Sequence, residues 1–118
     1  MATITIKRVY EAPADTDGRR ILVDRLWPRG LKKETAALDL WAKDVAPTDE
    51  LRQWFDHRPE RFEEFRRRYR DELADNSAVA DLLARIRKAK VTLLYSARDT
   101  EHNQAVVLAE FLRETHRK

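Results

Sequence analysis

The sequence predicts an α/β fold: a small, mostly parallel sheet of three or slightly more strands, flanked by about four to five helices in Rossmann-like layers. Residues 21–23 and 91–95 are short, continuous apolar runs, which are typical of strands covered on both faces. The segments between these runs carry apolar residues at helical spacing. Because a helical crossover links the two runs, we expect them to be parallel neighbours or near neighbours.

Composition limits the classes of protein that this chain can represent. A length of 118 residues predicts one domain over residues 1–118, since such a chain can build one core but not two. The absence of cysteine excludes disulfides, zinc–thiolate sites and cysteine nucleophiles. The three histidines lack zinc-ligand spacing, so no metal site is predicted.

Hydropathy and charge predict where the protein acts and on what. No segment approaches the roughly 18 apolar residues of a membrane span, and a strand pattern begins where a signal peptide would lie. We therefore expect a cytoplasmic protein with no membrane partner. The net charge of +3 permits nucleic-acid binding but does not require it.

The remaining elements follow from periodicity and caps. Ile4 and Ile6 alternate with polar residues and predict a first strand that runs on to Tyr10. The turn-like link at residues 11–19 is at the lower length limit of a parallel crossover, and we expect this strand to be parallel too. Residues 31–45 are predicted as a short helix with loop around it.

Four further helices are predicted by apolar stripes that follow a start signal. Their start signals are, in chain order, Thr48, Pro59, Ser77, and either Asp99 or Thr100.

Two charged segments follow the apolar runs. The first charged segment is residues 24–30 (DRLWPRG), and the second is residues 96–103 (SARDTEHN). Ligands of open α/β sheets bind outside the carboxyl ends of the strands. We therefore expect both segments and Tyr10 to meet at one edge of the sheet and to form a site there.

Asp24 opens the first charged segment and has two interpretations. It is placed to act as a general base, to hold a metal, or to position Arg25 or Arg98. Equally, it forms a buried salt bridge that orders the loop.

The rest of the first charged segment suits a planar anion. Arg25 and Arg29 bracket Trp27, and guanidinium groups beside an aromatic ring bind such anions by charge-assisted hydrogen bonds and stacking. Gly30 allows close approach of backbone to a ligand. For Trp27 itself, a place in the core is the simpler interpretation.

The second charged segment supplies an anion site and a base. Asp99 is most simply an N-cap, which places His102 in the first helical turn, where an imidazole is favoured in its neutral form. Free N–H groups at this helix start, together with Arg98, suit phosphate or carboxylate. Ser96 is a nucleophile only if His102 reaches its hydroxyl.

The leading hypothesis is a site for an anionic small molecule, phosphate or nucleotide-like, with catalysis left open. The catalytic candidates are Asp24 and His102. The ligand-binding candidates are Arg25, Trp27, Arg29, Gly30, Tyr95, Ser96, Arg98, Asp99 and Asn103.

Two alternatives stand beside this hypothesis. The first is a nucleic-acid-binding or regulatory module without enzymatic activity, suggested by the arginine content. It is disfavoured because Arg67 and Arg68 of the run at residues 66–68 have glutamates four residues earlier, typical of a self-paired helix face. The second is a buried ionic core that only holds the domain together. His57 is interpreted as a structural histidine at a corner between helices.

Several strings together resemble a known family. They are RILVDRLWPRG at residues 20–30, LRQWFDH at 51–57, YRDEL at 69–73 and VTLLYSARD at 91–99 with His102 and Asn103. The chain resembles the YeaO-like proteins, domain of unknown function family 488, over nearly its full length. The resemblance implies a compact, cytoplasmic, mainly bacterial α/β domain with a short parallel sheet, and no particular reaction. Longer relatives carry cysteines after the last core strand, where this chain has Ser96, so thiol chemistry does not carry over.

Overall fold

The computed structural model describes residues 3–116, and its centre is a four-stranded parallel sheet. The spatial order of the strands is β1-β4-β2-β3. The strands are β1 (Ile4–Arg8), β2 (Arg19–Leu22), β3 (Leu40–Trp41) and β4 (Val91–Tyr95). The predicted α/β class and the parallel orientation of the three longer strands are confirmed.

β4 lies at the centre of the sheet because it is apolar on both faces. All five of its residues are buried, and it pairs with β1 on one side and β2 on the other. The register sets Arg8 beside Tyr95 and Leu22 beside Leu94, so the carboxyl ends of the three strands lie together. This alignment brings both charged segments to one edge.

The prediction of only a short helix with loop for residues 31–45 is wrong in one respect. A single turn, α1 (Lys33–Ala36), is followed by the edge strand β3. The flanking amides of Asp39 and Ala42 donate to β2 carbonyls at 2.8 Å each. Two strand residues are too few to show a periodicity in the sequence.

Four longer helices cover the sheet: α2 (Asp49–Phe55), α3 (Phe62–Ala74), α4 (Ala78–Lys88) and α5 (Gln104–His116). The predicted apolar stripe of α3 is buried. Within it, Phe65 stacks on Phe55 with 4.4 Å between ring centroids, and the Tyr69 hydroxyl donates to the Val45 carbonyl at 2.6 Å. In the described part of the chain, no helix combines the length and apolar character needed to cross a membrane.

The helix starts correct two predictions. Thr48 caps α2 as predicted, since its hydroxyl accepts from the Leu51 amide at 3.2 Å. The Ser77 side chain does not cap α4. The side-chain oxygen of Asn76 instead accepts from the amide of Ala78, the first residue of α4, at 2.9 Å. The prediction that Asp99 or Thr100 caps the last helix is also wrong, because α5 begins only at Gln104.

Asn103 takes the capping role at α5. Its side-chain oxygen accepts from the Val106 amide at 3.1 Å. His102 therefore precedes the helix and does not lie in its first turn, contrary to the prediction. The prediction that free N–H groups at a helix start lie beside Arg98 is wrong for the same reason, because α5 begins only at Gln104.

A buried ion pair lies at the amino-terminal ends of the strands, opposite the end that carries the two charged segments. The carboxylate of Asp17 lies 2.6 Å from Arg20 Nη1, and both side chains are almost wholly buried. Arg20 also donates to the Ala36 carbonyl at 2.8 Å, which ties α1 to β2. The Ala14 amide above all, with Arg20 and Lys7, lowers the pKa of Asp17 to about 2.

Candidate functional site

The two charged segments meet directly at the carboxyl edge of the sheet. Asp24 accepts from the Ser96 hydroxyl at 2.5 Å and from the Ser96 amide at 3.2 Å. Tyr10, just beyond β1, donates its hydroxyl to the Arg29 carbonyl at 2.7 Å. The predicted juxtaposition of these three parts of the chain is therefore present.

Asp24 joins the ends of three elements. Besides Ser96 after β4, the first residue of α5, Gln104, donates to the other carboxylate oxygen at 2.5 Å. Burial raises the pKa of the Asp24 carboxyl and outweighs these hydrogen bonds, which lower it. Across residues 3–116, no arginine pairs with this carboxylate. The interpretation of Asp24 as one half of a buried salt bridge is therefore wrong.

A cleft of about 470 Å³ opens beside Asp24. Its apolar lining consists of Leu26, Trp27, Pro28, Pro47, Phe55, Phe65 and Ala97. Its basic residues are Arg25, Arg29, Arg52 and His57, and its polar residues include Asp24, Ser96, Asn103 and Gln104. The cleft thus combines cations with an aromatic wall, and it draws on α2 as well as on both charged segments.

Arg25 lines the cleft, but much of its guanidinium is already hydrogen-bonded to the protein's own backbone. It donates to the carbonyls of Pro47 at 2.9 Å and Ala46 at 3.0 Å, and its Nε lies 3.9 Å from the Asp49 carboxylate. These bonds hold the segment that enters α2 against the first charged segment. Arg25 therefore positions α2 along the cleft.

Arg29 and Arg52 have guanidinium groups that remain available. Arg29 is exposed, and within the described chain its guanidinium makes neither a hydrogen bond nor an ion pair. Arg52 contacts only the Asp49 carboxylate, at 3.3 Å, in an exposed pair. Exposed pairs of this kind contribute at most about 1 kcal/mol, so an anion competes easily for Arg52.

Trp27 forms a fixed wall. Its indole N–H donates to the Leu31 carbonyl at 2.9 Å, and its ring meets Trp41 edge-on at 5.3 Å. Gly30 has a positive φ of 76°, and a Cβ placed there would meet no atom within 4 Å. Glycine is favoured at this position by the backbone conformation, and not by the close approach of another group of the protein.

The second charged segment contributes less to the cleft than predicted. Asp99 accepts from the Glu101 and His102 amides at 2.9 Å each, and these bonds lower the pKa of its carboxyl. The His102 imidazole also contacts Asp99, at 2.9 Å, and packs edge-on against Phe62. Arg98 is exposed, and none of Arg98, Asp99 and His102 lines the cleft.

The positions of Ser96 and Tyr95 also differ from what their predicted roles require. Because the Ser96 hydroxyl donates to Asp24 and His102 Nδ1 contacts Asp99, the Ser96–His102 hydrogen bond required for a nucleophile is not formed. Tyr95 is buried in the sheet, away from the cleft surface, and burial raises the pKa of its phenol.

Sequence reasoning missed the six cleft residues that lie outside the two charged segments, namely Pro47, Arg52, Phe55, His57, Phe65 and Gln104. Of these, His57 was interpreted only as a structural histidine at a corner between helices. A visible signal for α2 was its start at Thr48, but nothing in the sequence shows that its last turn faces the first charged segment. That contact depends on the bonds of Arg25 to residues 46 and 47.

The fold and this cleft define a small parallel α/β protein with an arginine-lined cavity at the carboxyl edge of its sheet. A family model described as the inactive DUF488-N3 subclade matches residues 3–118, and the chain belongs to this family.

Relatives extend over nearly the whole chain. The uncharacterized protein YeaO of Escherichia coli is 49% identical over 111 residues, covering 93% of this chain and 96% of the relative. Uncharacterized proteins of Mycobacterium tuberculosis and Mycobacterium bovis are 44% identical over 109 residues, covering 92% of both chains. No solved structure matches the chain. The resemblance to the YeaO-like family is confirmed.

Proposed function

We propose that this protein binds an anionic small molecule of the phosphate or nucleotide class in the cleft, without transforming it. The observation that carries the proposal is the free guanidinium of Arg29, which lines the same cavity as Arg52 and an aromatic wall. A guanidinium at a cavity wall is a strong donor to phosphate oxygens, since it offers two parallel N–H groups.

The size and lining of the cleft support a ligand larger than a bare anion. A volume of about 470 Å³ falls within the usual range of small-molecule sites. The indole of Trp27 suits a planar, apolar body, while the cations suit a phosphate. A purely ionic core, the other alternative, would leave no such cavity.

The placement of the polar groups favours binding over catalysis. The Asp24 carboxylate already accepts three hydrogen bonds, from Ser96 and Gln104. His102, the other proton-handling candidate, is bonded to Asp99 and does not line the cleft. The family description as an inactive subclade agrees with a binding role.

Thermal-shift measurements with sulfate, phosphate and nucleoside monophosphates and diphosphates test the proposal. A ligand at 100 times its Kd stabilises the folded state by about 2.7 kcal/mol, which raises the midpoint by several degrees. We expect Arg29→Ala to lose this shift. Arg98→Ala is the matched control, because Arg98 is exposed outside the cleft. An absent shift in the wild type, or a shift lost in Arg98→Ala and kept in Arg29→Ala, would contradict the proposal.

The nucleic-acid alternative receives less support. On α3, the guanidinium groups of Arg66, Arg67 and Arg68 lie 2.7, 2.5 and 2.7 Å from glutamate carboxylates of the same helix. Cations that are paired in this way form a surface of alternating charge, whereas phosphate backbones require a continuous basic face. Binding to an oligonucleotide with a steep salt dependence would revive this alternative.

A further inference from the structure

His57, which follows α2, lines the cleft but has no role in the proposed site as described so far. Resting on the proposed function, we propose that His57, together with Arg52, contacts the anionic group of the ligand, so that α2 and the first charged segment hold it from two sides.

The backbone at His57 is unusual. Asp56 ends α2 with φ of 50°, its amide donating to the Arg52 carbonyl at 3.0 Å, and His57 follows with φ of 55°. Two successive non-glycine residues in the left-handed region each cost about 1 kcal/mol or more. Such conformations persist where the surrounding structure enforces them, and they are frequent at ligand sites.

The corner is held without help from the imidazole. The Arg58 amide donates to the Phe55 carbonyl at 3.0 Å, and the Arg61 guanidinium donates to the Trp54 carbonyl. Among the described residues, the His57 ring has no hydrogen-bond partner, although it lines the cleft and interacts electrostatically with Asp24. A structural histidine would be expected to use its ring nitrogens in the corner, so this ring is free for a ligand.

The charges around His57 define the consequence of its protonation. The charged groups nearby are Asp24, Arg25 and Arg29 from the first charged segment, and Arg52, Asp56 and Arg58 from the α2 corner. α3 and the start of α5 contribute only the uncharged Phe65, Asn103 and Gln104 to the cleft. Histidines change charge between about pH 5 and 8, so a protonated His57 adds a cation to the pair Arg29 and Arg52. Protonation of Asp24 acts in the same direction, because it removes an anion.

Sulfate is the suitable probe, since it remains a dianion throughout this range whereas phosphate itself titrates. Isothermal titration is carried out at about pH 6 and about pH 8. For the wild type we expect about fivefold tighter sulfate binding at the lower pH, the effect of one added charge pair near the surface. His57→Asn should bind with a pH ratio within about twofold, since asparagine tolerates the left-handed region but does not titrate. Arg52→Gln should weaken binding at both pH values and keep the wild-type ratio.

His57→Lys is the second variant: its permanent charge should keep binding tight at both pH values. Thermal unfolding without sulfate shows whether each variant retains the fold. If His57→Asn and His57→Lys keep the wild-type pH ratio, the ratio belongs to Asp24 and this inference is overturned, while loss of binding in Arg29→Ala still upholds the proposed function. If the wild type binds sulfate at neither pH, this inference is overturned, whereas the proposed function is overturned only if the nucleotides also produce no thermal shift.

Discussion

Arg25 and Arg29 lie four residues apart on the same segment but have different surroundings. Arg25 donates to two backbone carbonyls at 2.9 and 3.0 Å, whereas the guanidinium of Arg29 makes neither a hydrogen bond nor an ion pair with the described residues. The sequence presents them as an equivalent pair bracketing Trp27. Their difference arises from the path of residues 46 and 47, which is a tertiary property.

This contrast predicts that substitutions at Arg25 and Arg29 change stability by different amounts. Arg25→Ala should lower the free energy of unfolding by about 1.5–3 kcal/mol, because hydrogen bonds from a charged donor are lost and two carbonyls lose their partner. Arg29→Ala should change it by less than about 0.5 kcal/mol. Urea denaturation of both variants measures the difference, and equal losses would show that Arg29 has a structural partner.

At the scale of elements, the length of an apolar run decided what could be predicted. The apolar run at residues 21–23 predicted only the second half of β2, which begins at Arg19, whereas the run at residues 91–95 matches β4. The α3 stripe from Phe62 to Leu73 was visible as a helical period. β3 could not be predicted, because a strand of two residues shows no periodicity in the sequence. Its pairing with β2 depends on the amides of the flanking residues Asp39 and Ala42. The start of α5 was misplaced because both Asp99 and Asn103 are good caps, and only tertiary contacts select between them.

The same limit applies to the candidate site. The half formed by the two charged segments could be predicted, since it depends only on strand ends in a parallel sheet. The half on α2, with Arg52 and His57, could not, because its position depends on contacts between residues far apart in the sequence.

Gly18 lies directly before β2 and Gly30 lies in the turn between β2 and α1, and their different surroundings predict different costs of substitution. Gly18 and Gly30 both have positive φ, 66° and 76°. A Cβ at Gly18 would lie 2.4 Å from the Lys90 carbonyl oxygen, which accepts the Arg19 amide at the start of β2. Gly30→Ala should cost about 1 kcal/mol from backbone strain alone. Gly18→Ala should cost about 1–3 kcal/mol more, because the β2–β4 contact must shift. Urea unfolding of the pair checks this order, and equal costs would contradict it.

Considered as a whole molecule, the sheet carries a buried or half-buried carboxyl group at each edge, and the two respond oppositely to pH. At the amino edge, the Ala14 amide, Arg20 and Lys7 lower the pKa of Asp17 from 3.8 to about 2. At the carboxyl edge, burial raises the pKa of Asp24 above 3.8. The first carboxylate is favoured by folding, and the second is disfavoured by it.

The signs follow from linkage between protonation and folding. The contribution of Asp17 is present above its unfolded pKa and is lost as the pH falls from about 4 towards 2. The contribution of Asp24 is present below its unfolded pKa and is lost as the pH rises through its higher folded pKa. Asp17→Asn and Asp24→Asn remove one titration each while keeping the size of the side chain. The stability advantage of the wild type over Asp17→Asn should therefore shrink below about pH 4, whereas its advantage over Asp24→Asn should grow as the pH falls through the raised folded pKa of Asp24. Urea denaturation across this range measures both differences; parallel trends for the two variants would show that the edges of the sheet do not differ in this way.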